Sequence, residues 1–282
     1  MSKIILGPNR YGKQRVRVLK LLRGEQHDVK ELTVSTLLHG DYTGAHLGDD
    51  NSAIVPTDTV KNTIGVLARD LLGESTEAYA LALADHFLQR YSHLEAVDVD
   101  IRERVWQRME IAGALHPHSF IDRGQGTPLV SLVRSRGAFT LWSGLTDFIV
   151  MKTTEAGFIG YPRCEFTTLK ETTDRIVATS MFAQWNYTSL DLDFPKLNAE
   201  ILATMLAVFA GTYSPSVQRT LFEMGEAVLQ KFSEVAAVEM KLPNKHYLGI
   251  DMTPFQRENR HDIFLPTDEP HGEIEAIVTR AT

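Results

Sequence analysis

The chain repeats itself at half its length. Leu88-Gln89-Arg90-Tyr91-Ser92 resembles Leu229-Gln230-Lys231-Phe232-Ser233, and Ala96-Val97-Asp98 resembles Ala237-Val238-Glu239, both at an offset of 141 in a chain of 282 residues. An offset held over two patches without a gap marks a duplicated unit, here a helix followed by a strand. The expected halves are 1–140 and 141–282, and because no low-complexity linker divides them they are read as one continuous structural unit. At roughly 150 residues per domain the length leaves ample room for a buried core.

Periodicity supplies the elements. Val217, Leu221, Met224, Val228, Phe232 and Val235 step by three or four and predict a long helix, with Ser214-Pro215 marking its start. Ala80, Leu83, Phe87 and Tyr91 trace the matching stripe in the first half. Val60, Ile64, Leu67 and Leu71 predict a helix opening at a capping-type Thr57, where Asp58 complements the helix dipole. A shorter helix is expected from about Asn198 to Ala210, stopped by Gly211. Strands follow from alternation: Val97, Val99 and Ile101 against Asp98, Asp100 and Arg102, and again His246, Leu248, Ile250 and Met252. Alternation with one wet face predicts antiparallel sheets covered on the other face by helices, an α+β class. Segments 39–51 and 116–126 read as loops.

Composition narrows the function. With 29 basic and 36 acidic side chains the net charge is −7, which repels phosphate backbones and anionic membranes and makes nucleic acid an unfavoured partner. No run approaches the ~20 apolar residues of a membrane span. Neither the brief Ile4-Ile5-Leu6 run at the start nor the Arg280-Ala281-Thr282 ending matches a secretory or peroxisomal signal, so the expected location is cytoplasmic. The single cysteine, Cys164, fits a reducing compartment and cannot cage a metal; as a lone buried thiol it is expected to be inert. His116 and His118 lack neighbouring ligands, so no metal is expected. The sequon Asn186-Tyr187-Thr188 is incidental in a cytoplasmic chain. Glycine-rich nucleotide loops, His-Glu-x-x-His and Gly-x-Ser-x-Gly are all missing.

What remains is a series of polar signatures at element edges: Tyr11-Gly12-Lys13, Pro56-Thr57-Asp58-Thr59, Thr173-Asp174-Arg175, Ser214-Pro215-Ser216-Val217-Gln218 and Leu242-Pro243-Asn244-Lys245-His246. Taken singly, Thr57 and Asp58 only cap a helix, Phe158 is core and Arg175 is a surface cation. In this order, with Lys152-Thr153-Thr154 ahead of Phe158 and Leu169 ahead of Arg175, they resemble the urate oxidase family of the tunnelling fold (T-fold) from Tyr11 to about Asp251.

The resemblance implies tandem T-fold halves that assemble as a homotetramer around a tunnel, with urate held between subunits. It implies substrate binding by Phe158, Arg175, Val217, Gln218 and Asn244 of one chain and Thr57 and Asp58 of its neighbour. Phe158 then stacks on the purine, and Arg175 with Gln218 forks around one edge. Amides at Val217 and Asp58, at predicted helix starts, favour an anion. The implied reaction takes urate, O2 and water to 5-hydroxyisourate and hydrogen peroxide with no cofactor. Lys13, Thr57 and His246 match the family's proton relay, which needs the Lys13 amine uncharged, a form that burial favours. Gly157 and Gly249 are read as small residues that loosen pocket walls. Two alternatives stand beside this reading: a pterin- or GTP-type enzyme of the same fold, whose zinc ligands Cys164 alone does not supply, and a purine-binding module without turnover.

Overall fold

In a computed structural model of the chain, residues 4–281 are described; Met1 to Lys3 and Thr282, at the ends of the two segments read for targeting signals, lie outside them. The chain divides into two compact units, 1–144 with 192–195, and 145–191 with 196–282.

The first unit runs β1 (Tyr11–Leu22), β2 (Asp28–Gly40), a short α1 (Thr43–Leu47), α2 (Thr57–Leu71), α3 (Thr76–Arg90), β3 (Leu94–Arg104), β4 (Gln107–Ile111), β5 (Ala114–Ile121) and β6 (Thr127–Ser135). β1, β2, β3 and β6 are neighbours in that order, all antiparallel, and β4 pairs β5 separately. The buried stripe of α2, Val60, Ile64 and Ala68, and that of α3, Ala80, Leu83 and Phe87, form the core with Leu32, Val34, Leu38, Val97, Val99 and Ile101. The chain passes into the second unit along β7 (Phe139–Lys152).

There it continues through β8 (Val177–Tyr187), α4 (Phe194–Gly211), α5 (Val217–Lys231), β9 (Val235–Lys241), β10 (Asn244–Gly249), β11 (Phe264–Gly272) and β12 (Glu275–Thr279). β9 and β10 follow one ladder along β8, in register from Asn186↔Ala237 to Ala178↔Lys245 across a gap at Leu242-Pro243, with a slip at the far end between Asn186 and Tyr187. Proline has no N–H to give the ladder, which is why the strand stops there and resumes in register. Leu221, Met224 and Val228 of α5 are buried, as are Val238 and Met240 of β9 and Val278 of β12. The class is α+β with antiparallel strands, as the alternation required.

The repeat extends further than the sequence patches that revealed it. α3 and α5 are each 15 residues long, and their caps Ser75 and Ser216 each accept a hydrogen bond from the amide three residues on, Ala78 and Arg219. Both helices end in the same backbone shape, with φ −123 and ψ 100 at Tyr91 and φ −118 and ψ 104 at Phe232. An arginine then closes each C-terminus: Arg136 donates to the carbonyls of Leu88 and Tyr91, and Arg280 to those of Leu229 and Phe232. A guanidinium there satisfies orphan carbonyls and opposes the negative helix end.

Several expectations are corrected. α5 starts at Val217 with Ser216 as its cap, and Ser214, one turn earlier, is buried and instead accepts from the Thr220 hydroxyl. Thr57 is the first residue of α2 and makes no side-chain cap; Pro56 stands in the cap position. α4 begins at Phe194 rather than near Asn198 and includes Gly211. Asp98 is not on a wet face: it is 5% exposed, bound by Arg10 at 2.5 Å and 2.8 Å from His39 Nε2, which offset the cost of burying its charge. The strand expected over His246–Met252 ends at Gly249, and Leu248 and Ile250 are exposed. Segment 39–51 holds the end of β2 and α1, and His116-Pro117-His118 lies in β5, not in a loop. Asn186 of the sequon sits in β8, paired with Ala237. No described helix is long and apolar enough to cross a membrane.

Candidate active site

In the first unit Tyr11-Gly12-Lys13 of β1 is tied to the entry of α2, whose first residues are Thr57 and Asp58. The Tyr11 hydroxyl accepts from the Val55 amide at 2.5 Å, tying the entry of α2 to β1. Tyr42 packs edge-on to the Tyr11 ring at 4.7 Å. Gly12 cannot be replaced cheaply, because a Cβ there would lie 2.0 Å from the Thr36 carbonyl oxygen. After Lys13, which pairs with Thr36, the ladder slips before Val16, and Arg15 takes a left-handed φ of 59 with its amide on Ser35 Oγ. Such a bulge re-aims the side chains beside it.

Between β1 and α2 lies a cleft of about 580 Å³ whose lining includes Lys13, Arg15, Arg17, Lys61 and Asn62. The Asp58 carboxylate binds Lys61 at 2.5 Å and Asn62 at 2.9 Å. Lys61 above all, then Asn62 and the charge of Lys13, hold its carboxyl below the usual carboxylate range. The first amides of α2 precede the helical bonding pattern and point from a helix start.

In the second unit the centre is Phe158 and Arg175. Phe158 and Thr172 exchange two backbone hydrogen bonds, 2.7 and 3.2 Å. The Arg175 amide donates to Ala156 O, and its guanidinium carbon lies 5.4 Å from the Phe158 ring centroid. Burial lowers the Arg175 pKa, and its Nε is buried without a hydrogen-bond partner among the described residues. An N–H donor in that position costs about 1–3 kcal/mol unless something accepts from it. Thr172 Oγ1 donates to Asp174 O, and Asp174 Oδ1 accepts from Thr154, which fixes the Thr173-Asp174-Arg175 turn. Lys152 Nζ donates to Thr212 O at 2.6 Å, holding the Lys152-Thr153-Thr154 segment to the end of α4.

The same region is bound to the start of α5. Gly157 N donates to Ser214 O and Ser214 N to Glu155 O, a short parallel bridge that carries Val217 and Gln218 with it. Val217 is buried and Gln218 exposed as the first two residues of the helix. Gly157 does not loosen this wall as expected: a Cβ would meet the Tyr213 hydroxyl at 2.3 Å and Thr172 O at 2.9 Å, so the glycine permits a close approach. A Cβ added at Gly249 would meet nothing nearer than the Asn259 amide nitrogen, at 3.8 Å. Asn244 is the first residue of β10, pairing Thr179 and Gly272, and a register slip separates it from His246, which pairs Thr267. Both are half-buried.

These features together make a conjugated stacking face, a half-buried cation with its Nε in want of an acceptor and a helix start in one unit, and an amine beside a second helix start in the other. A uricase family model matches residues 9–133 and 141–275. The chain belongs to the uricase family. It is 40% identical to the uricase of Dictyostelium discoideum over 97% of its own length and 96% of that protein's, and 38% identical to the uricase of Oryctolagus cuniculus over 96% and 93%. The crystal structure of uricase from Arthrobacter globiformis superposes with a TM-score of 0.94 at 36% identity, covering 99% of this chain and 96% of that one. The first uricase match holds Lys13, Thr57 and Asp58; the second holds Phe158, Arg175, Val217, Gln218, Asn244 and His246.

Sequence reasoning missed the side chains that support these. Tyr161 stacks on Phe158, and only an aromatic three residues on hinted at it. Tyr213 donates its hydroxyl to Thr173 O at 3.1 Å, a contact across 40 residues of chain that leaves no local pattern. Cys164 is exposed, not buried, and the Thr167 hydroxyl lowers its pKa. His116 and His118 pack edge-on at 4.6 Å, and among the described residues no three His, Cys, Asp or Glu side chains group as a metal set.

Proposed function

We propose that this chain oxidises urate with O2 and water to 5-hydroxyisourate and hydrogen peroxide, at sites completed by a second copy within a homotetramer. The observation that carries the reading is Arg175, a half-buried guanidinium beside an aromatic face whose Nε is buried without a hydrogen-bond partner among the described residues. A flat anion with ring nitrogens and carbonyl oxygens answers both needs, since it stacks on Phe158 and accepts from the guanidinium fork. Gln218 completes the fork, and the amides of Val217 and Asp58 take polar edges of the ring.

In this reading neutral Lys13 withdraws a proton from urate through the Thr57 hydroxyl, Asn244 holds O2 and then water over the ring, and His246 joins that station to the amine. Two electrons pass from the urate anion to O2; with two protons it leaves as hydrogen peroxide, and water adds its hydroxyl to the ring. The protein's contribution is position and a proton path. The single cysteine agrees with a cytoplasmic setting.

The test follows urate absorbance and peroxide release together in chelator-treated buffer. Stoichiometric loss of urate and gain of peroxide is expected. Urate binding with no turnover would favour a purine-binding module, and no binding would end the assignment.

A further inference from the structure

We propose that Tyr161 is a positioning residue for the purine: it backs the Phe158 ring and fixes the plane against which the substrate stacks. The proposal rests on the urate reading. Tyr161 lies 4.9 Å from Phe158, centroid to centroid, with 13° between the planes. A phenyl ring has two faces: Tyr161 stacks on one, and the purine takes its place on the other beside the Arg175 guanidinium, whose carbon lies 5.4 Å from the centroid. Tyr161 adds a ring contact to a side chain that is only half-buried and whose backbone bonds to Thr172 leave the ring torsions free.

Tyr161 is itself anchored at its far end. Its hydroxyl donates to Leu169 O at 2.7 Å, and the preceding Gly160, at φ +74, donates its amide to Glu171 at 2.9 Å. The segment from Phe158 to Thr172 is thus cross-linked at three levels: the paired backbones of Phe158 and Thr172, Gly160 to Glu171, and Tyr161 to Leu169. Arg163 lies 5.5 Å over the outer Tyr161 ring, as Arg175 lies 5.4 Å over Phe158. Two rings carrying a cation each form a stack whose orientation is set by the loop, and the purine joins it as the next layer. Offset aromatic pairs are worth enough to set such an orientation.

Steady-state kinetics of the full-length enzyme decide the matter. Tyr161→Ala raises KM for urate about five-fold, the scale of one aromatic pair, and changes kcat less. Tyr161→Leu, which keeps bulk for folding, behaves alike, whereas Tyr161→Phe keeps the ring and stays within about two-fold of wild type. Because Tyr161 acts through Phe158, the double variant with Phe158→Ala has the KM of Phe158→Ala alone. Additive losses, an unchanged KM in Tyr161→Leu, or a lowered KM, which means that Tyr161 occupies the purine's own place, would each overturn the backing role and leave the urate assignment standing. A wild type that neither binds nor oxidises urate overturns both.

Discussion

Arg175 presents a folding chain with two costs at once, a desolvated charge and a donor with no acceptor, and a bound anion removes both. Replacement by Ala is therefore expected to raise KM about 10- to 100-fold, the scale of hydrogen bonds to a charged group, and to lower kcat as the ring loses its orientation. Arg175→Lys keeps the charge but not the planar fork and falls between. Lys13 is different in kind, since in the proposed reaction it meets the substrate only through a transferred proton. Lys13→Met is expected to lower kcat by about 10²- to 10⁴-fold with KM nearly unchanged, and a wild-type kcat would remove Lys13 from the relay. Both residues were singled out in the sequence because each stands in a short ordered signature. Tyr161 and Tyr213 were not, because their value lies in what they touch 8 and 40 residues away in the chain, the carbonyls of Leu169 and Thr173.

Helix periodicity was legible wherever a stripe faces a core, as in α2, α3 and α5, but helix ends were not. Ser214 and Ser216 are both serines within two residues of Pro215, and only the backbone decides that Ser216 is the cap. β10 misled because alternating apolar residues at Leu248 and Ile250 look like a buried face, yet no element of their unit covers them. The duplicated caps give a controlled comparison. Ser75→Ala and Ser216→Ala each remove one amide acceptor and are expected to cost about 1 kcal/mol in denaturant unfolding. Only Ser216→Ala should also raise KM for urate, because its helix begins with Val217 and Gln218; equal KM effects in both would show that the α5 start holds no substrate. Acid sensitivity belongs to β2. Glu31 accepts from the Trp106 indole at 2.9 Å and from Arg17 at 2.5 Å, and these bonds, Trp106 first, hold its carboxyl below 4.5. A depressed native pKa contributes stability above 4.5 that is lost as pH falls through the lower folded value. Glu31→Gln is thus expected to flatten the acid limb of an unfolding-versus-pH series, and an unaltered limb would show that other carboxylates govern it.

At the scale of the molecule, duplication produces two units with related frames and divides the proposed chemistry between them: proton removal beside Lys13 and Thr57 in one, ring capture at Phe158 and Arg175 in the other. If the site takes Thr57 and Asp58 from one copy and Arg175 from another, the two halves of its machinery can be inactivated in different chains. Thr57→Val and Arg175→Ala are each expected to be nearly inactive alone. Co-expressed in equal amounts, they assemble some sites from the intact half of each chain. With random association each half of a site is intact half of the time, so about a quarter of wild-type activity returns, in an assembly whose mass by light scattering is that of four chains. A site built within one chain cannot show this rescue, since every chain in the mixture carries a damaged half. Recovery near zero from a properly sized assembly would therefore place all of the reacting groups in a single copy and remove the second copy from the mechanism.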